Sequence, residues 1–279
     1  MRHAAEGPFA ILGLGLIGGS IARDLAARGA TVLGFDADRR ALAAARRAGV
    51  IAKTIDGSLE QLRDARIVIL AVPVDAAGSL LERAAPFVGR ATLVTDAGST
   101  KQAIVARAES LGLGARFVGS HPFAGDHRSG WRASRRGLFG GASVFVCRTR
   151  TSSALAVRRA RALWRSLGAR PVEISAAAHD ARLAFTSHLP HLVSAALART
   201  LDRADHGRSA LGAGGRDVTR LAAGSPEMWS AIVSSNRAGL TRALAAFERE
   251  LARVRGAAVR GDARAIHALL AATRDWAAR

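Results

Sequence analysis

The sequence predicts an α/β N-terminal half built on a mostly parallel sheet, followed by an all-α C-terminal half. Three observations predict it. Short apolar runs alternate with helix-periodic segments as far as Ile174. A glycine-rich G-x-G-x-x-G follows the first of those runs. Beyond Ser175 helical periodicity continues with no convincing strand.

Residues 9–12 (FAIL) read as a buried strand running into glycines, and 18–28 as a helix stopped by Gly29. Residues 31–35 read as a second strand closed by Asp36, and 38–48 as a helix. Residues 67–72 are a third strand, which Pro73 ends. A fourth strand at 92–95 precedes a helix from about 99 to 111. Strands at 116–119 and 143–147, a helix at 152–167 and a short strand at 171–174 complete this half. Helices are predicted over 176–203, 216–222, 227–255 and 262–277, with Gly212, Gly214 and Gly215 marking a loop. The expected domains are 1–175 and 176–279.

Length and composition allow this division. A chain of 279 residues suits one large or two modest domains, and 49% hydrophobic residues can fill their cores. Cys147 is the single cysteine, so no internal disulfide forms, as in a reducing compartment. The apolar stretch after Arg2 is broken by Gly13, Gly15, Gly18 and Gly19, so neither a signal peptide nor a membrane span is expected. A cytoplasmic protein is expected. The net charge of +19 raises nucleic-acid binding, but all basic residues except Lys53 and Lys101 are arginines scattered among alanines. No tyrosine occurs, and no basic run carries interleaved aromatics for stacking bases. The charge reads as solvated helix faces that attract small anions, with no nucleic-acid or membrane partner.

Gly13-Leu14-Gly15-Leu16-Ile17-Gly18 follows a strand and opens a helix within a βαβ unit. That context makes it a Rossmann dinucleotide fingerprint. Gly13 permits the tight turn, Gly15 lets backbone approach the pyrophosphate, and Gly18 lets helix and strand pack. Leu16 and Ile17 carry the free N–H groups of the helix start to the phosphates. Asp36, closing the second strand, is placed to accept ribose hydroxyls and to repel a 2′-phosphate. NAD is therefore expected over NADP, although Arg39 and Arg40 are near enough to hold a phosphate. Val72 and Pro73 are expected to line the same cleft.

Two polar clusters follow the fourth and fifth strands, where open α/β sheets bind ligands: Asp96–Lys101 (DAGSTK) and 119–130 (GSHPFAGDHRSG). A histidine there can exchange a proton near neutral pH. The patterns D-x-G-S-x-K and G-S-H-P-x-A-G-x-x-x-S-G, with Ser187-His188-Leu189-Pro190-His191 and Gly215-Arg216-Asp217-Val218-Thr219-Arg220, resemble the prephenate dehydrogenase family. That family includes the arogenate and cyclohexadienyl dehydrogenases of tyrosine biosynthesis.

The resemblance implies oxidative decarboxylation of a cyclohexadiene that bears a ring carboxylate and a hydroxyl opposite it. Hydride goes to NAD, the hydroxyl proton to a base, and loss of CO₂ makes the ring aromatic. It implies that His121 accepts the hydroxyl hydrogen bond as a neutral imidazole, and that Ser99 holds the imidazole or the hydroxyl in place. Ser99 also reads as a helix N-cap. Arg220 is implied to bind a substrate carboxylate, with Arg216 a weaker source of pocket charge. His188 and His191, three apart, share a helix face near Ser187, and His191 is the one expected to face the pocket. The chain departs from the common family pattern at Asp126-His127, and an acidic Asp126 would pair with the ammonium of arogenate, which prephenate lacks. No metal is implied, and no His/Asp/Glu cluster has metal-ligand spacing.

Family members dimerise through the helical half, so a homodimer is expected, with the active site between domains. Two other readings compete. A β-hydroxyacid-type dehydrogenase or imine reductase would need a catalytic lysine or aspartate in the helical half, which contains no lysine. A non-catalytic NAD-sensing or nucleic-acid-binding module would answer to the charge alone.

Overall fold

β1 (Phe9–Leu12) runs through the middle of an eight-stranded sheet in the computed structural model, which describes residues 7–125 and 128–279. On one side of β1 lie β2 (Val32–Phe35) and β3 (Lys53–Thr54). On the other lie β4 (Ile67–Leu70), β5 (Leu93–Asp96), β6 (Phe117–Pro122), β7 (Ser143–Arg148) and β8 (Arg170–Glu173), in that order. All neighbours pair parallel except β6 and β7. The chain leaves β1 for β2 on one side and returns to β4 on the other. This reversal opens a crevice beyond the carboxyl ends of β1 and β4.

Every residue of β1 and β4 is buried, as a parallel sheet covered on both faces requires. Alternate side chains feed two cores. Ile11 and Ile69 pack towards α1 (Leu16–Ala26), α2 (Arg39–Arg47) and α5 (Ala154–Ser166). Ala10, Leu12, Val68 and Leu70 pack towards α3 (Val74–Ala84) and α4 (Gln102–Ser110). The helical half then runs α6 (Ala176–Leu183), α7 (Leu189–Arg203), α8 (Ala213–Val218), α9 (Pro226–Ser235), α10 (Arg237–Val259) and α11 (Ala263–Ala277).

Several expected elements shift, each for a local reason. Two were unread in the sequence, β3 and α3. β3 has only two residues, both polar. Pro73 does not merely end a strand: β4 stops at Leu70, and Pro73 is the N-cap of α3. Helix α4 starts at Gln102, so Ser99 is not its N-cap. β6 extends through Pro122 because antiparallel β7 gives it a partner, and His121 therefore lies inside a strand opposite Phe145. The segment 176–203 is interrupted by a single π turn at Ala184–His188, and 227–255 breaks at Asn236 (φ −114°, ψ 34°). Gly214 and Gly215 lie within α8, with only Gly212 outside it as its N-cap.

Candidate active site

The crevice between β1 and β4 is a cavity of about 430 Å³, lined by Gly13, Gly15, Asp36, Val72 and Pro73 among others. Gly13 has φ +99°, and a Cβ there would collide with the Ala71 carbonyl. A Cβ at Gly18 would collide with the Gly13 carbonyl, so Gly18 serves helix–strand packing and does not line the cavity. A Cβ at Gly15, by contrast, would meet no protein atom within 4 Å and would project into open space. Gly15 caps α1 without a side-chain hydrogen bond, leaving the N–H groups of the first turn, Leu16 and Ile17 included, for an anion. These features fit a dinucleotide. Asp36 accepts the Leu14 N–H at 2.6 Å and the Asp38 N–H at 2.7 Å, which fixes its carboxylate at the cavity wall. Asp38 lines the same wall, whereas Arg39 and Arg40 do not; Arg83 does, and it was not singled out in the sequence.

The second cluster is built on β5 and β6. Asp96 accepts the Gly98 N–H at 2.9 Å, the Ser120 N–H at 3.0 Å and the Lys101 ammonium. Lys101, fully buried, also donates to the Ser120 carbonyl at 2.8 Å. This ion pair ties the turn holding Ser99 to the strand holding His121 and sets both at adjacent strand ends. Ser99 itself is half-buried, and its hydroxyl has no partner among the described residues. After β6 the chain returns to the cofactor cleft: a Cβ at Gly125 would lie 3.8 Å from Leu16 and 3.9 Å from Ile17.

His121 is 8% exposed. Burial, and then the repulsion that a cationic imidazole would meet beside His179, Lys101 and His188, hold it well below the usual histidine range, so it is neutral. Its Nδ1 lies 2.9 Å from Nε2 of His179. His179 Nδ1 lies 2.7 Å from Asp180 Oδ1. Asp180 also accepts the backbone N–H groups of Lys101 (2.8 Å) and Gln102 (2.9 Å), capping α4 from α6. Hydrogen bonds from His179 and these amides hold its carboxyl below the usual range despite burial. Neither His179 nor Asp180 was singled out in the sequence. The adjacent His-Asp pair was the available signal, but its partners lie 58 and 79 residues away.

The helical half supplies a wall. His188 is 1% exposed, and its Nδ1 accepts from Asn236 at 3.2 Å. Asn236 also donates to the Asp180 carbonyl at 2.7 Å, so the break between α9 and α10 serves this brace. His188 is thus buried behind the face it shares with His191, braced by Asn236. His191 stacks on Trp229 at 3.6 Å, with Gly224 against both rings. His191 Nε2 and Trp229 Nε1 are buried without a hydrogen-bond partner among the described residues. Arg220 starts the 3₁₀ turn Arg220–Ala223, which packs on α7 and leads to Gly224. It is exposed and has no ion-pair partner among the described residues. Arg216 is exposed and donates to the Leu211 carbonyl. Ser187, in the π turn, is half-buried and makes no side-chain hydrogen bond among the described residues. Asp126 and His127 lie outside the described residues.

The buried neutral histidines predict acid lability. Both His121 and His188 have folded-state pKa values below 6.5, that of His188 about 4. Below pH 6.5 the unfolded chain binds more protons, so stability is complete above that pH and falls as pH drops towards 4. Each histidine adds a slope of about 1.4 kcal/mol per pH unit in this window. The urea midpoint should fall across it, and less steeply in His188→Gln. Asp180, also shifted down, loses its contribution as pH falls below the ordinary carboxylate value of 3.8.

Residues 21–173 match the model of the prephenate dehydrogenase nucleotide-binding domain, and residues 175–272 that of the prephenate dehydrogenase dimerization domain. The chain is 33% identical to a prephenate dehydrogenase of Bacillus subtilis, covering 95% of this chain and 74% of that protein. It is 31% identical to a cyclohexadienyl dehydrogenase of Zymomonas mobilis, covering 91% and 89%. Among solved structures, Aquifex aeolicus prephenate dehydrogenase, crystallised with hydroxyphenyl propionate and NAD⁺, superposes with a TM-score of 0.87 at 28% identity over 96% of both chains. Synechocystis arogenate dehydrogenase superposes with a TM-score of 0.83 at 28% identity, over 96% of this chain and 97% of that one.

Proposed function

The chain belongs to the prephenate dehydrogenase family, and from that premise we propose that it oxidatively decarboxylates prephenate, arogenate or both, using the neutral His121 as base. It is an NAD-dependent oxidoreductase of tyrosine biosynthesis. The observation that carries the assignment of His121 is its buried, uncharged imidazole at the end of β6, on a segment that runs on to the head of α1. Only a neutral imidazole can accept the hydroxyl hydrogen bond.

Gly13, Gly15, Leu16, Ile17, Asp36, Val72 and Pro73 are assigned to the dinucleotide, and Gly18 to the close helix–strand packing that holds their loop. NAD, when bound, supplies the hydride acceptor. The paired carboxylates of Asp36 and Asp38 favour it over NADP, whose 2′-phosphate they would repel. Ser99, with its unpartnered hydroxyl, positions the substrate alcohol. Among the described residues, His191 offers an unpartnered ring nitrogen, Ser187 a free hydroxyl, and Arg220 an unpaired guanidinium for a carboxylate. Asp126 is assigned to an ammonium group and would tilt preference towards arogenate.

The working division is residues 1–175 for the cofactor and 176–279 for substrate and dimer. A homodimer is supported by the dimerization-domain match and by apolar surface on the helical half: α11 buries no residue, and Trp276 is 73% exposed. A cytoplasmic location is supported by the lone buried thiol of Cys147. No helix among the described residues is long and apolar enough to cross a membrane.

Purified protein supplied with NAD should generate reduced cofactor at 340 nm with prephenate or arogenate, faster than with NADP. Comparing both substrates in wild type and Asp126→Asn tests the preference. No turnover with either substrate, together with salt-sensitive DNA binding, would favour the non-catalytic reading.

A further inference from the structure

A hydrogen-bond acceptor histidine is useful only if the nitrogen facing substrate carries a lone pair. An isolated neutral imidazole exchanges its proton between two nitrogens, and the hydrogen bond made by one decides the state of the other. In this chain that hydrogen bond comes from another histidine. We propose that His179, backed by Asp180, is a positioning residue that fixes His121 in its Nδ1–H tautomer and so leaves the Nε2 lone pair as the acceptor. The inference rests on the assignment of His121 as base.

The order of donors follows from the chain's end. Asp180 is a carboxylate and accepts only. The contact at 2.7 Å therefore requires a proton on His179 Nδ1. With that proton in place, a neutral His179 keeps a lone pair on Nε2. The contact at 2.9 Å then requires the proton on His121 Nδ1. His121 Nε2 is left as the acceptor. All three side chains are buried, His179 and Asp180 completely, so water does not offer His121 an alternative partner at Nδ1. Asp180 is itself held by the Lys101 and Gln102 amides, and its carbonyl by Asn236. The orientation of the base in the sheet domain is thus set by the first helix of the other half.

The same chain accommodates charge during turnover. Hydride leaves the carbinol carbon for the cofactor as the hydroxyl proton passes to His121 Nε2. The bond to the carboxylate carbon breaks, its electron pair enters the ring, and CO₂ departs. The phenolate oxygen so formed takes the proton back from Nε2, so one hydride is transferred, one CO₂ released and no net proton is lost. While Nε2 holds the proton, the imidazolium Nδ1–H shares its charge through His179 with Asp180.

The test reads the tautomer and the rate separately on the full chain. Imidazole ¹⁵N NMR of wild type should show His121 protonated at Nδ1 and bare at Nε2. His179→Leu should move the proton to Nε2 and lower kcat by about 10²-fold, with the KM for NAD unchanged. His179→Gln, whose amide oxygen still accepts from Nδ1–H, should keep the tautomer and recover kcat to within about tenfold of wild type. A wild-type His121 protonated at Nε2 overturns the inference without any variant. So does an equal loss in both variants with the tautomer unmoved, which would mark His179 as packing alone. If instead His121→Ala turns over normally, the assignment of the base fails first.

Discussion

Replacing His121 with alanine is expected to lower kcat for the preferred substrate by about 10³-fold, within the usual range for a positioned base. The imidazole is buried, neutral and already hydrogen-bonded on one nitrogen, so its other nitrogen is committed to a single task. Alanine removes the acceptor and leaves a hole beside His179 that water can fill; water is a weaker and unoriented base. The dinucleotide cleft is lined by other residues, so NAD affinity, followed by fluorescence titration, should stay within about twofold, since His121 provides no uniform binding there. The substitution truncates a buried side chain, so its thermal midpoint must be measured as well. His121→Asn, which keeps an amide at the position, should fold better and remain nearly as slow. Turnover within about tenfold of wild type in a folded variant would remove His121 from the chemistry.

The sheet was legible because its central strands are buried on both faces and therefore spelled as unbroken apolar runs, as in β1 and β4. The cofactor cleft was legible because Gly13 and Gly18 answer local steric demands and Gly15 leaves open space at the helix start. Legibility failed where the cause is distant in sequence. β6 carries His121 inside the sheet only because β7 pairs with it from the antiparallel side. The true start of α4 depends on Asp180, contributed by α6. The π turn at Ala184–His188 and the break at Asn236 interrupt continuous helical periodicity, and both serve contacts around His188 and Asp180 that no window of residues encodes. Pro73 was misread for the opposite reason. The same residue ends strands and begins helices, and the weakly apolar stretch after it gave α3 no clear periodicity.

Arg220→Leu is expected to lower kcat/KM for the substrate by about 10²–10³-fold while leaving the KM for NAD within about twofold, because removing one partner of a desolvated charge pair costs about 2–5 kcal/mol. The turn carrying Arg220 is well anchored: Thr219 donates to the Gly215 carbonyl at 2.7 Å, and Ser194 on α7 donates to the Val218 carbonyl at 2.7 Å. Its guanidinium is nevertheless exposed and has no ion-pair partner among the described residues, and the turn leads on to Gly224, which packs against the stacked His191 and Trp229. A cation so exposed contributes only about 1 kcal/mol to holding a carboxylate in open water. The larger effect therefore requires the site to close over Arg220, as it would if the proposed dimer covered that surface. Arg220→Lys separates charge from geometry. If the fork grips a carboxylate with two parallel bonds, lysine should recover about a tenth of the lost kcat/KM and no more. If charge alone matters, lysine should restore nearly all of it. A loss under about threefold in Arg220→Leu would place the guanidinium in bulk solvent and outside the substrate site altogether.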